Sequence, residues 1–390
     1  MIPWYKNPDK NLLAEILSRP KKQREELQTI VRSIIDRVNS QGDAALFAYA
    51  KKFDGVELNG LIVSRQEIEA AEYKLDQELK DAIKLAKKNI AAFHAAQKNQ
   101  RVTVETQPGV VCWRESRPID KIGIYIPGGT APLFSTVLML AVPAVIAGCT
   151  EIVLITPANQ EGKVHPAVLY AAKISGVTRC VISGGAQAIA ALAYGTESVP
   201  KVDKIFGPGN QYVTMAKQMV SVDKTAIDMP AGPSEVMVVA DEWADPAFSA
   251  ADLLSQAEHG SDSQSILVTT SPEHAGEVQK QLQIQIDRLP RRMLAVQSLS
   301  SSAIIQVDTI EQAIILANQY APEHLILNIT DAAAWLGSIK HAGSVFLGPW
   351  TPESAGDYAS GTNHTLPTSG WAVSCSGVGL DSYLKHISFQ

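Results

Sequence analysis

Only four cysteines occur in the 390-residue sequence, Cys112, Cys149, Cys180 and Cys375, and none stands in a C-x-x-C pair. That excludes a disulfide framework and a paired-cysteine metal knuckle; the four read as reduced, mostly buried residues of a cytoplasmic enzyme. There is no basic block, and the net charge is −6, so nucleic acid and anionic membrane are poor partner expectations. Long hydrophobic runs are missing too. The longest, around Val137 to Cys149, is interrupted by Pro143 and Gly148 and is too short to span a bilayer. The opening Met1-Ile-Pro-Trp-Tyr-Lys lacks the apolar stretch of a signal peptide. Neither G-x-G-x-x-G nor G-x-x-x-x-G-K-[ST] is present.

What is present is an ordinary globular composition, 46% hydrophobic and 19% charged, on a chain long enough for two or three cores. Residues 10–98 have helical periodicity. Leu27, Ile30, Val31, Ile34 and Val38 mark one face, and Leu75, Leu79, Ile83, Ala86, Ile90 and Phe93 another. Ser64-x-x-Glu67 is a capping-box pattern. His94 is expected at the surface, as are His165, His274, His341 and His386.

From Pro118 the pattern changes. Strands are predicted at 122–127, 151–156, 179–183 and 204–206, separated by helices at 132–147, 165–175, 186–193 and 213–220. A second series, 234–240, 264–270, 303–307, 324–329 and 343–347, alternates with helical segments at 245–259, 272–288, 309–319 and 331–339. Short connections between alternating strands and helices argue for parallel, doubly wound sheets, here two α/β modules with a boundary near Asp228-Met-Pro-Ala-Gly-Pro233.

Three strands of the first series end in glycine-rich turns, Gly128-Gly129, Gly184-Gly185 and Gly207-Pro-Gly-Asn210, that open helices. Amide groups there favour anions at the carboxyl edge of a parallel sheet, although tight turns call for glycine regardless of any ligand. Gln256 and His259, three apart at the end of a predicted helix, form a metal grip if Asp357 supplies a third ligand; a solvated helix end is the alternative. Glu323-His324, in a helix-to-strand loop, offers an acid and an imidazole for proton transfer, or simply polar surface. His364, seven positions past Asp357, is within reach of the same pocket.

Taken jointly, these segments resemble the histidinol dehydrogenase family. The match is carried by Tyr125-Ile-Pro-Gly-Gly129, Gly184-Gly-Ala-Gln-Ala188, Val202-Asp-Lys-Ile-Phe-Gly-Pro-Gly-Asn210 and Asp228-Met-Pro-Ala-Gly-Pro-Ser-Glu235. It continues in Leu254-Ser-Gln-Ala-Glu-His-Gly260, Ala321-Pro-Glu-His324 and Pro352-Glu-Ser-Ala-Gly-Asp-Tyr-Ala-Ser-Gly-Thr-Asn-His364, in the expected order over nearly the whole chain.

The resemblance implies an α/β fold of two incomplete Rossmann-like domains with an N-terminal helical region, in an interwoven cytoplasmic homodimer. It implies oxidation of L-histidinol to L-histidine through L-histidinal with NAD and zinc. Gln256, His259 and Asp357 match zinc ligands. Tyr125, Gln187 and Asn210 match NAD contacts. Ser234, Gln256, His259, His324 and Asp357 match the substrate site, and Glu323 and His324 the catalytic pair. The expected division is an arm at 1–20, a first domain from 21–124 with 234–380, an NAD-side domain at 125–233, and a final segment at 381–390. In this family a helical tail follows that segment, bringing a glutamate to the substrate and a histidine to the zinc; the sequence stops at Gln390, so weaker zinc binding and a weaker dimer are expected. The competing expectations are a non-catalytic metabolite-binding relative and a zinc hydrolase with Glu323 as its base.

Overall fold

A computed structural model describes residues 2–19, 24–128, 132–223, 225–230 and 232–390. Gly129 of the first glycine turn, Ala231 of the Asp228–Pro233 segment, and the arm boundary at Pro20 lie outside the described residues. The described chain forms two compact units, each built on its own parallel sheet.

The first unit comprises residues 1–22, 231–356 and 366–377. Its sheet runs Trp4–Lys6, Ala303–Gln306, Gln264–Thr269, Glu235–Ala240, His324–Asn328, Ser344–Leu347, all pairs parallel. The central strands read as unbroken apolar runs because both faces are covered. Val236, Val238 and Ala240 point to one core layer with Leu253 and Val278, whereas Met237 and Val239 point to the other with Ile314 and Ala317. Helices Pro246–Ala257 and Pro272–Ile286 thus cover one face and Ile310–Tyr320 the other. The arm joins this unit: Trp4–Lys6 adds an edge strand that the sequence did not announce.

The second unit takes residues 23–230, 357–365 and 378–390. Its parallel sheet runs Arg179–Ile182, Glu151–Thr156, Lys121–Tyr125, Lys204–Phe206, Ala226–Ile227. Counted within each unit from Lys121–Tyr125 or Glu235–Ala240, both sheets share the strand order 3-2-1-4-5, the open α/β arrangement with a switch point between the first and fourth strands.

One expected boundary is corrected. Residues 24–124 belong with 125–230, not with 234–380. Helix Arg24–Gln41 lays Val31, Ile34, Ile35 and Val38 into the same core as Ile189, Leu192, Val213 and Ala216. The Leu61 carbonyl accepts from Ile182 N–H at 2.7 Å, and Val63 N–H donates to Cys180 O at 3.0 Å. Burial of the amphipathic stripe therefore decides the grouping. The capping box forms as predicted, with Ser64 bonding Glu67 N–H and Glu67 returning to Ser64. Strands Thr103–Gln107, Val110–Pro118 and Leu384–Phe389 make a small antiparallel sheet that was not foreseen, and the 381–390 segment ends as one of its strands.

Two histidines expected at the surface are buried. His94 bonds the Ile90 carbonyl through Nδ1 at 2.9 Å, and His274 Nε2 meets Ser249 Oγ at 3.2 Å. Of the cysteines only Cys180 is buried; the other three are half-buried. No helix among the described residues is long and apolar enough to cross a membrane.

Candidate active site

The chemistry-bearing residues of the first unit gather at the amino ends of its strands. His324 is the first residue of its strand, and Ser234, half-buried, immediately precedes Glu235–Ala240. Helix Ile310–Tyr320 stops one turn before, at Ala321, a buried non-glycine residue with φ +49°. Such a conformation persists only where its surroundings enforce it, and it delivers Pro322-Glu323-His324 abruptly into the strand.

Glu323 and His324 are both buried. Glu323 Oε2 accepts the Glu235 N–H at 3.0 Å and lies 3.7 Å from His324 Nδ1. That nitrogen is 3.0 Å from Gln256 Oε1, 3.3 Å from Glu235 O and 3.8 Å from Glu353 Oε1. With Gln256 Oε1 as acceptor, Nδ1 carries the proton and Nε2 the lone pair, the tautomer a general base requires.

Gln256 is fully buried on the last turn of helix Pro246–Ala257. Because that helix returns antiparallel to the strand before it, its C-terminal end comes back to the strands' amino edge. The predicted helical pairing of Gln256 with His259 is replaced by a turn, since the helix ends at Ala257; the two still meet, Nε2 to Nδ1 at 3.4 Å. His259 Nδ1 also faces the Ser255 carbonyl at 2.9 Å.

Glu353 and Asp357 stand one turn apart on helix Glu353–Tyr358. Ligand atoms of His259, Glu353 and Asp357 all lie within 4.8 Å of one another. Glu353 is buried and bonded by Ser255 Oγ. Its backbone N–H bonds Asp252, whose carboxyl burial pushes up to about 7, the Glu353 N–H opposing the shift. An imidazole and two carboxylates at this spacing, with the Gln256 amide beside the imidazole, fit a zinc ion by donor type and reach. Glu353 was not singled out from the sequence, although it opens the Glu353–His364 motif four positions before Asp357. His364 meets the Asp357 carbonyl through Nδ1 at 3.0 Å and Thr136 through Nε2 at 3.1 Å.

Tyr125, Gln187 and Asn210 sit apart from that cluster in sequence, and together line a cavity of about 930 Å³ at the carboxyl edge of the second unit's sheet. Tyr125 ends its strand, and its hydroxyl accepts the Gly185 N–H at 3.1 Å. Burial pushes this phenol up to about 12, against that bond, so it stays neutral. Gln187 is buried in the first turn of its helix, and Asn210 caps the next by accepting from Tyr212 and Val213 N–H. Lys52 and Asp54, from a π-helical turn at Ala50–Asp54, also line the cavity; no motif marks them in the sequence.

The chain matches the profile of the family described as histidinol dehydrogenase over residues 17–390. It belongs to that family. It is 58% identical over 385 residues to the Bacteroides fragilis histidinol dehydrogenase, covering 99% of this chain and 90% of that one. It is 56% identical over 390 residues to the Bacteroides thetaiotaomicron enzyme of the same name, covering 100% and 91%. The solved histidinol dehydrogenase of Elizabethkingia anophelis superposes with a TM-score of 0.97 at 52% identity, over 100% of this chain and 90% of that one.

Proposed function

We propose that this protein oxidises L-histidinol to L-histidine through L-histidinal, the closing steps of histidine biosynthesis, using NAD and a zinc ion. The observation that carries the reading is the buried Glu323–His324 pair, with His324 Nδ1 held by Gln256 beside the His259–Glu353–Asp357 cluster. The names of relatives above 50% identity support the substrate. The cavity lined by Tyr125, Gln187 and Asn210 is of dinucleotide-binding size and stands at a sheet's carboxyl edge.

His324, with its proton on Nδ1, accepts the substrate's alcohol proton at Nε2. Glu323 then takes a proton from the water that attacks the aldehyde, and His324 serves again in the second oxidation. Ser234 contacts the substrate from the turn before its strand. His259, Asp357 and Gln256, with Glu353 adjoining, hold the zinc, which supplies an anchor for the substrate amine and imidazole. Tyr125, Gln187 and Asn210 hold NAD, which supplies the hydride acceptor. The protein works as a cytoplasmic homodimer.

The test is NADH formation with L-histidinol, NAD and Zn²⁺, with a chelator control. Two NADH per histidinol, abolished by chelation, is the expected outcome. Absence of turnover from folded protein leaves a metabolite-binding relative, and turnover without NAD identifies a hydrolase; either result overturns the reading.

A further inference from the structure

The catalytic pair is tied to a residue that lies far from it in sequence. Arg19, at the end of the N-terminal arm, donates to the Glu235 carboxylate twice, Nε to Oε2 at 2.6 Å and Nη2 to Oε1 at 2.9 Å. Nη2 also donates to the Tyr320 carbonyl at 2.7 Å, and the guanidinium carbon sits 4.1 Å from the centre of the Tyr320 ring. Glu235 is buried, and its carboxylate accepts the Ser369 N–H at 3.1 Å and faces Tyr320 OH at 3.4 Å. Tyr320 OH is itself bonded to Gln264 at 2.8 Å.

The backbone of this same Glu235 reaches both catalytic side chains. Its N–H donates to Glu323 Oε2, and its carbonyl lies against His324 Nδ1. A side chain clamped by a fork on one side and a peptide bonded to the acid–base pair on the other make one rigid connection. Tyr320, the second anchor of Arg19, is the residue before the strained Ala321 that delivers Glu323 and His324.

Resting on the proposed reaction, we infer that Arg19 is a positioning residue: through Glu235 and Tyr320 it sets the orientation of Glu323 and His324, so that the arm controls turnover without touching the substrate. A bidentate planar fork is needed, because it fixes Glu235 in orientation as well as charge; lysine supplies only a point charge. Displacing a catalytic group by about 1 Å costs on the order of 100-fold in rate.

The experiment compares the wild-type chain, R19A, R19K, E235Q and R19A/E235Q, with NADH formation followed separately from L-histidinol and from L-histidinal, alongside thermal unfolding. In R19A, kcat per folded molecule is expected to fall on the order of 100-fold for both substrates, while KM changes less than about threefold; R19K is expected to recover only part of it. R19A/E235Q is expected to be no slower than R19A, because the two residues act as one device.

The pH profile separates positioning from general stability. Arg19, Tyr320 and Ser369 N–H face the Glu235 carboxylate, with Glu323 and His324 on its backbone side. Burial pushes Glu235 up and Arg19 opposes it. R19A should therefore gain a titration in kcat that R19A/E235Q lacks. Wild-type turnover, with R19A matching it in kcat and pH profile per folded molecule, overturns the proposal while leaving the proposed reaction standing. Lack of wild-type turnover overturns the reaction itself. Should R19A not fold, R19K decides, since a wild-type kcat in R19K excludes a requirement for the fork.

Discussion

Glu323 and His324, proposed above as the catalytic pair, are differentiated by what holds them. Glu323 accepts the backbone N–H of Glu235, whereas His324 Nδ1 faces Gln256 Oε1. Glu323→Gln retains that amide acceptor but cannot take a proton from water. In this variant the step from L-histidinal should slow by about 10²–10⁴-fold, while reduction of NAD by L-histidinol continues to the aldehyde. Stopped-flow measurement with each substrate checks this; equal losses on both would remove water activation from Glu323. Gln256→Leu acts one bond further out. It frees the His324 tautomer and should slow both steps, which steady-state rates with L-histidinol and with L-histidinal check.

Among the elements, the turn after Lys204–Phe206 is tightly constrained. Gly207 has φ +121°, and a Cβ there would lie 2.2 Å from the Tyr125 carbonyl oxygen. Its N–H donates to Asp228 Oδ2 at 2.8 Å, and its carbonyl accepts from Lys217 Nζ at 2.8 Å. Lys217 and Asp228 form a buried ion pair around the turn. This braced turn carries Asn210 and adjoins the strand ending at Tyr125. Gly207→Ala must push backbone, so it should destabilise the second unit by about 2–4 kcal/mol and raise KM for NAD more than KM for histidinol. Denaturant unfolding and steady-state kinetics read the two effects. An unchanged midpoint would show that the turn relaxes without cost.

At the scale of the molecule, two buried histidines away from the Glu323–His324 pair, His94 in the second unit and His274 in the first, are held neutral by their cores. Burial pushes His94 down against the Ile90 carbonyl, and His274 down against Asp241. A folded pKa below the unfolded value of about 6.5 means that the unfolded chain binds the extra proton first. Stability is therefore fully present above about pH 6.5 and falls as the pH drops below it, by up to about 1.4 kcal/mol per pH unit per group. His94→Gln and His274→Gln should flatten this acid limb, each for its own unit, in unfolding measured from pH 7.5 to 5. An unaltered slope would assign the acid sensitivity to other groups.

The central strands of both sheets, most of the helices between them and the glycine turns were legible in the sequence, because doubly covered parallel strands are short apolar runs and βα turns need glycine, whereas the short edge strands Trp4–Lys6 and Ala226–Ile227 were not. Gln256, His259, Asp357, Glu323 and His324 were named from residue type and motif, and Tyr125, Gln187 and Asn210 from the resemblance. The antiparallel strands at 103–107, 110–118 and 384–389 were not legible because their residues are mostly exposed and lack an alternating apolar face. The carboxyl-edge rule locates the cavity of one unit but not the proposed catalytic cluster of the other, which lies at the amino edge of its strands.

Local pattern thus determined which segments are strands and helices, since backbone sterics and apolar periodicity act over a few residues. Tertiary structure alone decided that 24–124 packs with 125–230, that His94 and His274 are buried, and that Glu353 joins His259 and Asp357. It alone brought Arg19, through Glu235, to the Glu323–His324 pair some 300 positions away. Those outcomes depend on which apolar faces share a core and which carboxylates find a partner when water is excluded, and such choices are made between residues distant in the chain.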